Sequence, residues 1–166
     1  AEALARDARL RAEQAGLTAP NFDYGTLPFA KPDTAADEQG QRQIFAARAD
    51  LNQGRRDKLV ETKAQLAAQI DGIDGQIGAV RAQITLTEDD LADVRTLVDK
   101  GLARQGQQSD LERGKADLYG RLATLSAEKA RMQTAIRDAE IASLQEDRAF
   151  KEAVVTELRE VTNTVE

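Results

Sequence analysis

Residues 95–113 read RTLVDKGLARQGQQSDLER, and this stretch decides how the chain folds. A long heptad pattern precedes it, and a second pattern of almost equal length follows it. Gly101 can end a helix because glycine adopts positive φ without strain. Two matched helices joined by a few residues pair within one molecule, because the linkage gives each a high effective concentration of the other. The sequence therefore predicts an antiparallel hairpin that turns at Lys100-Gly101.

The first arm carries a single narrow apolar seam. Its members are spaced alternately four and three residues apart, and all but one are aliphatic. This spacing is typical of a coiled coil, whereas a helix packed on a globular core has a wider apolar face. The predicted seam consists of Leu66, Ile70, Ile73, Ile77, Val80, Ile84, Thr87, Leu91, Val94 and Val98.

The second arm repeats the spacing, with two lysines in the seam. At about 1.5 Å per residue, each arm would be roughly 90 Å long. The seam positions are Leu111, Lys115, Leu118, Leu122, Leu125, Lys129, Met132 and Ile136, and the pattern resumes at Val154, Leu158, Val161 and Val165.

Both arms lose this register in the half far from the turn. Leu51 and Val60 fall outside the seam of the first arm, and Ile141 and Leu144 fall outside that of the second. Such slips resemble stutters, which unwind a supercoil locally. We expect the Ala-rich N-terminal residues to form a short helix that docks over these slips and widens the apolar face.

The predicted fold is all-α. It is a long antiparallel two-helix coiled-coil hairpin with a short extra N-terminal helix packing at its base, in a three-helix segment. Thr34 or Asp33 is expected to cap the first arm, and Ser109 or Asp110 the second. The predicted segments are a short helix at 1–16, a connector with all three prolines at 17–36, arm one at 37–99, a tip at 100–108 and arm two at 109–166.

Composition excludes several classes of site. The 166 residues include no Cys and no His, which removes disulfides, thiol chemistry and the usual zinc and Ser-His sites. Carboxylates are numerous but fall mostly outside the seam, where water keeps them ionised. We interpret the acidic runs 88–90 and 146–147 as solvated faces. The sequence therefore predicts no enzyme, no cofactor and no metal site.

Charge is mixed along both arms. Residues 41–99 carry 8 basic and 10 acidic side chains, and residues 107–166 carry 9 and 12, within a net charge of −6. Neither arm has a basic stripe, which argues against nucleic acid and against an anionic membrane surface. No apolar run approaches the roughly 20 residues needed to cross a bilayer.

Three blocks of residues, at their separations, resemble one family. The hinge block is KGL at 100–102 and LER at 111–113, followed by Ala116, Leu118 and Gly120; the flanking blocks are Gly40-Gln41, Ile44-Phe45 and Ala47-Arg48, and Phe150, Val154, Glu157-Leu158 and Val161. Together they resemble the helical hairpin of the HlyD-like membrane fusion proteins, the periplasmic adaptors of type I secretion systems. The resemblance covers about residues 1–166.

The resemblance implies a function in protein secretion from a Gram-negative bacterium. Such adaptors are anchored in the inner membrane and form a ring, expected to be hexameric, around an ABC exporter. Their hairpins meet a TolC-like outer-membrane channel through the tip. The chain opens without Met and closes in heptad phase, so we expect it to be a periplasmic segment of a longer, inner-membrane-anchored protein.

The tip is the predicted partner-binding site. Tips in the wider family often carry Arg, a Leu four residues later and Ser or Thr seven residues after that, and these positions fall on Asp93, Leu97 and Arg104. Only Leu97 matches, so the resemblance carries over directly for Leu97 alone. The other proposed contacts follow from their place at the apex; they are Leu102, Arg104, Arg95, Lys100 and Gln105.

Two points remain open from the sequence. Leu102 either covers the last layer of the seam or contacts a partner. The outward glycines Gly72, Gly75 and Gly78 indicate either local looseness or close approach of a neighbouring hairpin.

The alternative function is a structural coiled-coil scaffold or dimerisation rod without a role in transport. Such a rod needs no turn, and Gly101 and Gly106 favour the hairpin.

Overall fold

The structure, a computed structural model, describes residues 2–24 and 34–165. Three helices follow one another along this part of the chain, namely α1 (Glu2–Ala15), α2 (Ala35–Asp99) and α3 (Gln105–Val165). The chain divides into two compact units. One, called here the turn unit, is Glu61–Ala139, and the other, called the three-helix unit, is Ala1–Val60 with Glu140–Glu166. The all-α hairpin with an additional N-terminal helix is confirmed.

Helix α1 ends one residue before the predicted limit at residue 16, and a glycine follows it. Gly16 has φ 66°, and its amide donates to the carbonyl of Glu13 while the amide of Leu17 donates to that of Ala12. These two bonds form a Schellman motif, which satisfies carbonyls that the helix end leaves without partners.

Helix α2 begins two residues earlier than predicted, at Ala35, directly after the buried Thr34. The side chain of Thr34 donates to Glu38, whose backbone amide bonds the Thr34 carbonyl at 2.8 Å. The other proposed cap, Asp33, and the connector aromatic Phe29 lie outside the described residues.

The described part of the connector is tied to this first turn of α2. Phe22 lies 4.8 Å under the guanidinium of Arg42, and the hydroxyl of Tyr24 donates to Glu38 at 3.2 Å. Burial, together with the charge of Glu38, raises the pKa of Tyr24 to about 12. Phe22 and Tyr24 therefore pack against α2.

In the turn unit, α2 and α3 run antiparallel along the seam. Asp74 pairs with Lys129 and Glu88 with Lys115, both at 2.7 Å. Residue numbers therefore rise along α2 toward the turn while those of the partners on α3 fall. The core of this unit consists of Ile73, Ile77, Val80, Ile84 and Leu125, with Leu118, Leu122 and Met132 packed against it. Leu66, Ile70 and Val98 of the first arm, and Leu111 and Ile136 of the second, are half-buried, while Leu91 and Val94 are buried.

In the three-helix unit, α1 packs on the far ends of both arms. Leu10 is fully buried and clusters with Val154 and Val161, and Ala3, Phe150 and Leu158 pack against them. The buried face of α1 is Ala5, Arg9, Leu10 and Ala12.

The expectation that α1 covers the register slips is wrong. Leu51, Val60, Ile141 and Leu144 are all more than half exposed. Helix α1 lies instead over the region of Gln41, Phe45 and Val154, because Arg9 bonds Gln41 and Leu10 packs with Val154. The slips therefore leave apolar side chains in solvent rather than under a third helix.

Replacing Ile77 with Ala is expected to destabilise the hairpin by about 2–5 kcal/mol, because the residue is only 7% exposed within the core cluster of the turn unit. Urea unfolding followed by helical circular dichroism measures the loss. The control is Gln76→Ala at the exposed neighbouring position, where a change within about 0.5 kcal/mol is expected. Equal effects of the two substitutions would contradict the assigned heptad phase.

Candidate functional site

The turn that joins α2 to α3 is short and well defined. Gly101 has φ 72°; its amide donates to the carbonyl of Val98 at 2.9 Å, and the amide of Leu102 donates to that of Leu97 at 2.8 Å. This is the same Schellman motif that ends α1. This motif determines where the chain leaves α2 and therefore the position of the residues after Gly101.

The predicted extent of the tip needs correction. The tip was expected at 100–108 and α3 from 109, but α3 begins at Gln105. Ser109 and Asp110 are therefore inside the helix, and Asp110 pairs with Arg113 one turn later instead of capping. Gly106 is the second residue of α3 and does not prevent the helix from starting there.

The apex presents two exposed leucines. Leu102 is 73% exposed, so it does not cover the seam, and Leu97 is 40% exposed. Lys100, Arg104 and Gln105 are exposed beside them. Within the described part of the chain, the Lys100 and Arg104 side chains form no ion pair. The turn therefore combines exposed aliphatic surface with two uncompensated cations.

Arg95 has a different environment from the other predicted tip residues. Its guanidinium pairs with Glu112 of α3 at 2.9 Å, and Glu112 also accepts a hydrogen bond from Gln108 at 3.1 Å. The hydrogen bond from Arg95, supported by that from Gln108, lowers the pKa of the exposed Glu112. Arg95 therefore links the two arms next to the turn.

A groove of about 420 Å³ lies between the arms beside the turn. It is lined by Asp90, Asp93, Val94, Gln107, Asp110 and Leu111. Asp93, at one of the family tip positions, is thus a groove residue, with Val94 and Leu111 as its apolar neighbours.

A second cluster, which the sequence analysis did not identify, joins all three helices of the three-helix unit. It is called here the ion ring and consists of Arg9 and Glu13 from α1, Arg48 from α2 and Glu157 from α3. Arg9 bonds Glu13 at 2.6 Å and Glu157 at 3.4 Å, and Arg48 bonds the second oxygen of each carboxylate at 3.0 and 2.9 Å. The four charges alternate in sign around a closed circuit.

The ion ring is buried unevenly. The side chains of Arg9 and Glu13 are 3% and 4% exposed, whereas those of Glu157 and Arg48 are 24% and 31% exposed. The Nε of Arg9 also donates to Gln41 at 2.6 Å, and Arg6 lies 3.6 Å from Glu157. Burying a guanidinium costs free energy unless its N–H groups have hydrogen-bond partners. For Arg9 these partners are Gln41, Glu13 and Glu157.

Acid is expected to loosen the docking of α1 through Glu157. Burial by itself raises the pKa of Glu157, but hydrogen bonds and charge from Arg48 and Arg9 outweigh burial and hold the pKa below its ordinary value of 4.5. A carboxylate with a depressed pKa stabilises the fold above its unfolded-state pKa, and this contribution is lost as pH falls through the folded-state pKa. The protection of the α1 amides against hydrogen exchange, relative to the unfolded chain, should therefore be greater near neutral pH than at a pH well below 4.5.

Glu157→Gln provides the comparison for this pH effect. The variant should have weaker α1 protection at neutral pH and a shallower loss of protection on acidification. An unchanged pH dependence in Glu157→Gln would contradict a role for this carboxylate.

Two kinds of feature are absent from the described ranges 2–24 and 34–165. They contain no group of three or more carboxylate, His or Cys side chains placed to hold a metal ion. No helix in them is both long and apolar enough to cross a bilayer.

The hairpin geometry is shared with known proteins. The family model described as "AprE, long alpha-helical hairpin" matches residues 1–166. A curated relative, the type I secretion system membrane fusion protein PrsE of Rhizobium meliloti (strain 1021), is 29% identical over 163 residues, which is 97% of this chain and 37% of the relative. This chain therefore spans little more than a third of that relative.

The fold is also found among solved structures. The soluble domain of LipC, a membrane fusion protein of a type I secretion system, superposes with a TM-score of 0.88 at 20% identity, over 97% of this chain and 76% of that one. At this identity the likeness establishes the hairpin architecture alone.

Proposed function

The chain belongs to the family of AprE-type long alpha-helical hairpins, and from this premise we propose that it is the helical hairpin of a periplasmic adaptor for type I protein secretion. The adaptor would connect an ABC exporter in the inner membrane to a TolC-like channel in the outer membrane of a Gram-negative bacterium. The rest of the adaptor would contact the exporter and neighbouring adaptor copies, expected to number six. The curated relative PrsE is named as a membrane fusion protein of such a system.

The observation that carries this proposal is the exposed apex on a hairpin of the matching family. Leu102 and Leu97 offer aliphatic surface with no covering element in the described chain, and Lys100 and Arg104 flank them with unpaired cations. Exposed aliphatic groups within a polar rim are typical of a protein docking site. The apex would accordingly contact the channel, with Leu97, Leu102, Arg104, Lys100 and Gln105 as contact residues and Arg95 holding the arms together beside them.

The alternative, a scaffold or dimerisation rod without a transport role, is less well supported. A continuous rod has no reason to end α2 with a Schellman turn.

Site-specific photo-crosslinking in cells tests the proposed function. A crosslinking amino acid at position 102 of the full-length protein should capture an outer-membrane channel protein, whereas the same group at Leu51, which is also more than half exposed, should not. Capture of no channel from position 102, in cells that secrete normally, would reject the tip-docking role.

A further inference from the structure

The apolar seam of the turn unit does not by itself determine how far the two arms are shifted along each other. In the observed register, Val80 and Leu122 belong to the same core cluster. Because seam positions recur every heptad, a shift of one heptad brings seam positions together again. Ile84 would then be level with Leu125, which is again an apolar layer. This arrangement is called here the shifted register.

A second glycine can supply the turn of the shifted register. The observed reversal is centred on Gly101, which has φ 72°. The shifted register would move that centre by about half a heptad, to Gln105 beside Gly106. Glycine at either position can adopt the positive φ that ends a helix. Neither the seam nor the choice of glycine therefore excludes the shifted register.

Two ion pairs between the arms distinguish the registers. Lys115 and Lys129 occupy seam positions of α3, two heptads apart. Their partners on α2, Glu88 and Asp74, have the same separation, and both pairs are 2.7 Å long. The hydroxyl of Tyr119 also donates to Glu88, at 3.3 Å. One register therefore satisfies both lysines at the same time.

The shifted register would replace both attractions with repulsions. On α2 the positions one heptad closer to the turn than the two acids are Arg81 and Arg95. Lys129 would then face Arg81. Lys115 would face Arg95, which in the observed register pairs with Glu112 at 2.9 Å. A shift of one heptad in the opposite direction would likewise bring Lys115 to Arg81.

The exposure of these pairs indicates that they act on the choice of register more than on overall stability. The four side chains are 31–44% exposed, and ion pairs this close to solvent contribute little net stability. A lysine in a coiled-coil seam costs stability and specifies register. The difference between registers exceeds the net contribution of a pair, because it compares attraction with repulsion at two places.

We propose that Lys115 and Lys129 are positioning residues that select the observed register and thereby keep Leu102 at the apex. In the shifted register Leu102 would lie within an extended α2, before an apex centred on Gln105. This inference rests on the proposed function, in which Leu102 contacts the channel.

Engineered disulfides in the full-length protein in cells report the register, and the 166 residues contribute no native Cys. Val80→Cys with Leu122→Cys reports the observed register, and Thr87→Cys with Leu122→Cys reports the shifted one. Positions 80 and 87 are about 10 Å apart along α2, beyond the roughly 7 Å limit for a disulfide. With native charges, the first pair should form a bond within one molecule, seen as a monomer-sized band on a non-reducing gel, and the second should not.

Reversing the charge of both lysines should exchange these results. In Lys115→Glu with Lys129→Glu, the acids of α2 repel the new carboxylates while Arg81 attracts one of them in the shifted register. The yield of the first bond should fall and the second bond should appear, so that their ratio changes at least tenfold. Adding Asp74→Lys and Glu88→Lys should restore the first bond.

The control is Arg131→Glu with Arg137→Glu, two exposed cations of α3 that pair with no residue of α2 in the described chain. It should leave the first bond unchanged. An unchanged first bond in Lys115→Glu with Lys129→Glu, a failure of the restoring substitutions, or the same shift in the control would overturn the proposal. Loss of both bonds would also overturn it, because the charges would then hold the arms together without choosing between registers.

Channel crosslinking from position 102 connects the register to docking. Capture of the channel should fall severalfold when the register shifts and should return when the first bond is restored. Unchanged capture in a variant with a shifted register would overturn the link to the apex. Absence of capture with native charges would reject the proposed function while leaving the disulfide result intact, so the two failures are distinguishable.

Discussion

Replacing Arg9 with Ala is expected to release α1 from the hairpin, at a cost to its docking of about 3–5 kcal/mol. Among the described residues, the substitution leaves the 4% exposed carboxylate of Glu13 with Arg48 as its one remaining cation, and it removes the hydrogen bond that Gln41 accepts from Arg9. Breaking a buried ion pair on one side is expensive because the remaining charge stays desolvated. A helix of 14 residues has little stability of its own in water, so the loss should appear as local undocking.

Limited trypsin digestion and hydrogen exchange of α1 measure this release, while circular dichroism follows the rest of the hairpin. Arg11→Ala is the matched control on the same helix, since Arg11 is 63% exposed and, among the described residues, pairs with Asp7 alone. Its removal should cost less than about 1 kcal/mol. Comparable digestion of the two variants would show that the ion ring does not hold α1 in place.

Heptad spacing was sufficient to predict the seam because the spacing of residues determines on which side of a helix their side chains lie. A side chain that recurs every 3.5 residues stays on one side of a helix, and in this chain only another helix of the same length can cover it. The turn at Gly101 was predictable for a similar reason. The turn needs a positive φ at one position, and glycine adopts it without strain. Both features are local in sequence.

The start of α3 was not predictable from local preference. Ser109 and Asp110 are good capping residues, but the Schellman turn returns the chain to helix by Gln105, and the residues from there to Asp110 are compatible with helix. Residues that favour a cap do not force one when the helix can extend further and add backbone bonds.

The ion ring was not predictable either, for a different reason. Its residues come from three helices and are separated by up to 148 positions, as between Arg9 and Glu157. In the sequence Arg9 and Glu13 form an ordinary i,i+4 pair of the kind found on exposed helix faces. The Arg9 guanidinium can be buried because it also bonds Gln41 and Glu157. These two partners can be identified only from the three-dimensional structure.

Replacing Leu102 with Asp is expected to abolish secretion by the full-length protein while leaving its stability unchanged. The side chain is 73% exposed and contributes to no described core cluster, so the free energy of unfolding should change by no more than about 0.5 kcal/mol. In the proposed complex this leucine would be buried against the channel, where an unpaired carboxylate loses its hydration. A central contact of this kind accounts for about 2 kcal/mol or more, equivalent to about a 30-fold loss of affinity.

The decisive comparison is with Leu51→Asp, the same chemical change at a leucine of α2 that is 57% exposed and lies away from the turn. Secretion assays, channel crosslinking and thermal melting of both variants separate docking from folding. Loss of secretion in Leu102→Asp alone, with melting unchanged in both, is the result expected of an apex that binds a partner. Normal secretion by Leu102→Asp would mean that the exposed leucine at the turn has no part in docking, because a buried carboxylate there could not be tolerated.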